Sequence, residues 1–117
     1  VKSVSQTVGA EAMSACLVYI TARDSEEAIG ISRDLVEKRL AACVNVHGPI
    51  VSIFRWKGDI QEDEESVLIA KTTEDKVEAL AARVLEIHSY DCPCVVALPI
   101  ASGHSQFLNW IAAETFG

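Results

Sequence analysis

The chain has 117 residues, 50% of them apolar and 23% charged, enough for one ordinary hydrophobic core and too little for two. Its formal net charge of −7 excludes a surface built to hold phosphate backbones, because nucleic-acid binders cluster Lys and Arg. No run of about 18 apolar residues occurs and residues 1–14 lack an apolar core, so neither a membrane span nor a secretory signal is expected and the default compartment is the cytoplasm.

Residues 1–14 are small and polar without periodicity and are expected to be disordered, ahead of a single domain over 15–117. Residues 15–21, Ala-Cys-Leu-Val-Tyr-Ile-Thr, form a β-branched and aromatic run without polar alternation, the pattern of a central strand buried on both faces. Asp24 and Glu27 then have capping-box spacing. Ala28, Ile31, Leu35, Val36 and Leu40 follow at helical intervals, which predicts a helix over 25–40.

Residues 42–46 are strand-like again, and Gly48-Pro49 marks a bulge. The stretch 50–72 reads as one long hairpin reversing at Gly58-Asp59, with Val51 and Ile53 on one face and Ile50, Phe54 and Trp56 on the other. Arms of ten residues or more reach ~35 Å, past the ~30 Å of a small domain, so the far half overhangs its own sheet. That half carries Phe54, Trp56 and Ile60, and exposed aromatics on a two-stranded ribbon call for another subunit to cover them.

The returning arm has an acidic half, Glu62 to Glu65, and an apolar half, Val67 to Ala70. A solvated, aggregation-resistant edge is the expected role of the acids, because strand neighbours face opposite ways and no calcium-loop spacing is present. Thr73 with Glu74 and Asp75 starts a second helix, with Val77, Leu80, Ala81, Val84 and Leu85 as its stripe, ending near His88. Residues 94–100 read as a fourth, continuously apolar strand, and a short helix begins at Ser105. The order βαββαβ plus a terminal helix predicts an α+β, ferredoxin-like sandwich with both helices on one sheet face. Its open edges and overhanging hairpin predict an oligomer.

Cys16, Cys43, Cys92 and Cys94 are too few for a disulfide scaffold and are read as free thiols. His88, Cys92 and Cys94 form a cluster of soft ligands suited to copper or zinc; the competing reading is two small thiols packed at a strand entry. No nucleophile elbow, P-loop, dinucleotide glycines or zinc-protease helix occurs, so no enzyme is expected.

Several of these residues occur in a familiar order: Arg39-Leu-Ala-Ala-Cys-Val-Asn45, Trp56-Lys-Gly58, Lys71-Thr72, His88-Ser-Tyr-Asp-Cys-Pro93, Leu98-Pro99 and Trp110-Ile111. In this the chain resembles the CutA divalent-cation tolerance proteins. The resemblance implies a homotrimer in which hairpins pair between subunits, similar to the PII signalling proteins, with Trp56, Lys71 and Tyr90 at an interface or cleft. It also implies a metal-ligand set at positions that hold Ile20, Ile87 and Cys94 here, of which only Cys94 can ligate. Two functions follow as expectations: a non-enzymatic protein of divalent-metal (copper) tolerance, or a PII-like regulatory module taking a small anionic metabolite or a partner protein in its clefts.

Overall fold

A computed structural model describes residues 14–116. The expected N-terminal disorder falls on 1–13, outside the described residues; Ser14 is inside them, and its carbonyl accepts a hydrogen bond from the Glu74 amide at 2.8 Å.

Seven elements follow in order: β1 (Ala15–Ala22), α1 (Ser25–Glu37), β2 (Cys43–Trp56), β3 (Asp59–Thr73), α2 (Val77–Ile87) after a 3-10 turn at Glu74–Lys76, β4 (Val95–Pro99) and α3 (Ser105–Thr115). The strands make one antiparallel sheet in the order β2-β3-β1-β4, the split βαββαβ arrangement expected from the sequence.

Strand alternation sorts the core. Cys16, Val18, Ile20 and Ala22 of β1 join Leu68 and Ala70 of β3 beneath Ala28, Ile31 and Leu35 of α1 and Leu80 and Val84 of α2. An Arg83–Asp34 fork, with two bonds of 2.8 Å, ties the two helices together. The opposite face presents Leu17, Tyr19, Ile69 and Lys71, all half-buried, so β1 is fully packed on one face rather than the expected two. Helix α3 packs against β3 and β1, and its buried Ile111 and Ala112 lie outside the main core.

Three features depart from the simplest reading of the sequence for identifiable reasons. Helix α1 stops at Glu37 because Arg39 takes a left-handed conformation (φ 59°) and the amides of Leu40 and Arg39 turn back to the carbonyls of Leu35 and Val36, at 2.9 and 3.1 Å. This is a Schellman termination, in which Leu40 makes the apolar contact beyond the helix end and so mimics one more helical turn. Thr73 does not cap α2 through a backbone amide; its hydroxyl donates to Asp75 instead. Strand β4 is an edge, with Val96 and Leu98 each about half exposed, so its continuous apolar run does not reflect burial on both faces within the subunit.

The hairpin is longer than any other feature. Strand β3 pairs with β1 only over residues 66–73, and among the described residues β2 is the sole strand that pairs with 59–65, an overhang of roughly 20 Å. The molecule measures 50 × 26 × 23 Å as a result. Lys57 and Gly58 both have positive φ, 50° and 88°, which makes the tip a two-residue turn whose twist matches the strands.

Candidate functional site

Two regions carry the residues singled out above: the loop from His88 to Cys94, and the overhanging hairpin with the second sheet face behind it.

The loop is held by hydrogen bonds rather than by packing. His88 Nε2 lies 2.8 Å from the Thr21 carbonyl and Nδ1 accepts from the Tyr90 amide at 3.0 Å, so the ring is the neutral tautomer with its proton on Nε2. Glu27 accepts from the Ser89 amide (2.8 Å), the Ser89 hydroxyl (3.0 Å) and the Arg23 amide (2.9 Å). Burial pushes the Glu27 carboxyl up, but these bonds outweigh it and hold the group below the usual carboxylate range. The Tyr90 hydroxyl donates to Glu65 at 2.6 Å, and its ring tilts across His88 at 4.7 Å. The loop is thus fastened at once to β1, to the start of α1 and to the base of the hairpin.

This geometry decides what His88 can do. With both ring nitrogens engaged it has no free lone pair, and among the described residues no three His, Cys, Asp or Glu side chains stand close enough to hold one ion. His88, Cys92 and Cys94 are therefore not brought together as a three-donor set. The positions that the resemblance linked to metal fare no better, since Ile20 is fully buried in the core and Ile87 packs against it. Cys92 and Cys94 remain, both free and exposed; partial burial first, and the neighbouring Glu65 carboxylate second, push the Cys94 thiol above its usual range.

Burial, and then Glu65, also raise the Tyr90 phenol well above its ordinary pKa of ~10. A raised acid binds its proton more tightly in the folded state. This contribution to stability is complete below pH ~10 and is lost as the pH rises above that, where the unfolded chain ionises and the folded one does not. Tyr90→Phe is expected to cost ~1 kcal/mol at neutral pH and to flatten the decline in stability above pH ~10. Chemical denaturation of both proteins at pH 7, 9.5 and 11 checks this; an unchanged alkaline slope would mean that another group governs it.

On the hairpin, Val51, Ile53, Trp56 and Ile60 are 54% to 66% exposed. The register puts Phe54 opposite Gln61 and Trp56 opposite Asp59 on one face, and Arg55 opposite Ile60 on the other, so both faces of the ribbon are apolar. Lys57 lies 5.9 Å from the Trp56 ring. Lys71, at the far end of β3, has its ammonium on Asn45 Oδ1. The expected interface residues thus divide among the hairpin (Phe54, Trp56, Ile60), the second sheet face (Lys71) and the loop (Tyr90). Sequence reading missed Glu27 and Glu65 as the loop's anchors: Glu27 looked like a cap residue alone, and Glu65 like one acid among four.

Comparison with known proteins agrees with this geometry. The family described as CutA1 divalent ion tolerance protein matches residues 16–114. A "Divalent-cation tolerance protein CutA" of Thermus thermophilus is 44% identical over 99 residues, 85% of this chain and 96% of that protein. The solved divalent cation tolerance protein of Thermus thermophilus superimposes with a TM-score of 0.84 at 43% identity, over 86% of this chain and 97% of that one. A structure from Archaeoglobus fulgidus, titled as the periplasmic divalent cation tolerance protein CutA, gives a TM-score of 0.84 at 42% identity, over 86% of this chain and 98% of that one.

Proposed function

Because the chain belongs to the CutA1 divalent ion tolerance family, we propose that it is a non-enzymatic protein of divalent-metal tolerance that works as a homotrimer, with hairpins and second sheet faces closing on one another. The observation that carries the assembly is the overhang, which displays apolar side chains on both of its faces where, among the described residues, no other element of the same subunit covers them. The half-exposed Val96 and Leu98 on an edge strand add a second uncovered surface. Light scattering at micromolar concentration tests this: a mass of three chains is expected, and a monomer overturns it.

For metal, the donor set within one subunit reduces to the Cys92 and Cys94 thiolates, which suit Cu(I) or Zn(II) and not hard cations. Ligation requires thiolates, so affinity is expected to rise with pH toward the thiol pKa, the more so because that of Cys94 is raised. The Cys92→Ser, Cys94→Ser double variant is expected to lose Cu(I) binding in a competition titration and to keep its oligomeric mass. Unchanged stoichiometry would place the metal elsewhere, and no binding by the unaltered protein would end the proposal of a cysteine site.

A further inference from the structure

Lys71 sits on β3 between Leu17 of β1 and Cys43 of β2, on the sheet face that α1 and α2 do not cover. Its ammonium reaches a neutral acceptor, Asn45 Oδ1, and among the described residues it forms no salt bridge. Following β3 outward, alternation places Ile69, Val67, Glu65 and Asp63 on the same face. Glu65 is taken by Tyr90. Asp63 stands opposite Ser52, flanked along β2 on that face by Ile50 and Phe54, and it too lacks a salt bridge among the described residues.

One face of the sheet and its ribbon therefore carries an unpaired cation at one end and an unpaired anion toward the other, with the buried Val67 and the Tyr90-bonded Glu65 between them. Eight residues of extended strand, roughly 26 Å, separate them, so they cannot meet within a subunit. Covering this surface in an assembly would strip water from both, and a buried charge without its opposite is strongly unfavourable. Asp59, the other acid on this face of the ribbon, adjoins the turn at the tip and keeps access to water.

We propose that in the assembled protein Lys71 of one copy pairs with Asp63 of a neighbouring copy, and that this pair sets the register in which a hairpin lies across the adjoining sheet. The inference rests on the trimer proposed above and deepens it by naming the contact that the apolar surfaces alone would leave free to slide.

Charge exchange tests it. The concentration at which half of the chains are trimeric would be measured by light scattering on dilution for the unaltered protein, Lys71→Glu, Asp63→Lys, the double exchange, Asp63→Asn and Asp59→Lys. Each single reversal, and Asp63→Asn less severely, is expected to raise that concentration, by ~100-fold for the reversals. The double exchange should recover most of the loss, and Asp59→Lys should have little effect. Circular dichroism of the dissociated chains separates lost assembly from lost folding, and Asp63→Asn changes an exposed side chain, so it keeps the test open if a reversal does not fold. Loss with Lys71→Glu alone, particularly if added citrate strengthens assembly of the unaltered protein, would make the partner a free anion and overturn the pairing, as would reversals without effect. A monomeric unaltered protein would remove the trimer itself, which that sample reports independently of the variants.

Discussion

Trp56→Ala is expected to dissociate the protein at micromolar concentration, whereas Trp110→Ala leaves its mass unchanged and lowers its melting temperature. One subunit leaves 54% of Trp56 in water, on the order of 120 Å², worth roughly 3 kcal/mol when an assembly covers it. A trimer contains three such contacts, so the loss is roughly 9 kcal/mol, about six powers of ten in the association constant. Trimer formation depends on the square of the free chain concentration, and the dissociation midpoint should therefore rise by about three powers of ten. Trp110 belongs to α3 and lies half-buried with its ring 5.5 Å from Phe107, so its truncation should cost ~3 kcal/mol of subunit stability. Light scattering and thermal denaturation on both variants separate the two outcomes. Equal dissociation midpoints would remove Trp56 from the interface.

Gly48→Ala is expected to destabilise the subunit by roughly 3 kcal/mol, although its backbone does not demand glycine through a left-handed conformation. The reason is space. A Cβ at position 48 would stand 2.5 Å from Ser66 Oγ and 3.1 Å from Ser66 Cα. Ser66 is buried and its hydroxyl is bonded to Ser25 at 3.0 Å, while its backbone sits where β3 first gains β1 as a neighbour, so it cannot give way cheaply. The contact falls at the irregularity in β2–β3 pairing between His47 and Ile50, which suggests a rescue. Ser66→Gly removes the nearer clash and should restore part of the stability of Gly48→Ala in a double-mutant cycle, leaving the contact to the backbone. Strictly additive losses would show that the cost arises elsewhere.

Most of the fold was legible because the relevant signals are local. Alternation within the hairpin, the two glycines that punctuate it and the helical spacing of Ala28, Ile31 and Leu35 are each decided within a few residues. The failures share a different cause. Leu40 looked helical because a Schellman contact places an apolar residue at the same spacing as another turn would. The run Val-Val-Ala-Leu-Pro of β4 is as continuously apolar as a buried strand although it lies at a half-exposed edge, so its composition does not tell which face of it is packed. The loop site was half legible: the sequence marked His88 and Tyr90, but not that a carbonyl 67 residues away and a carboxylate 25 residues away would occupy them. Those partners exist only once β1 and the hairpin base have been brought together.

The two-residue turn at Lys57-Gly58 also orders events in time. Strands β2 and β3 are joined by the shortest connection a hairpin allows, whereas β1 must find β3 some fifty residues on and β4 some eighty. Local pairings of this kind close in ~1 to 10 μs, long before distant strands meet. A folding chain therefore displays its ribbon, with Phe54 and Trp56 uncovered, ahead of the rest of its sheet. During that interval the acids of the returning arm have a task separate from anything in the finished fold: their mutual repulsion opposes one ribbon zipping against another, so refolding should be cleanest at low salt and least productive at high salt, where that repulsion is screened.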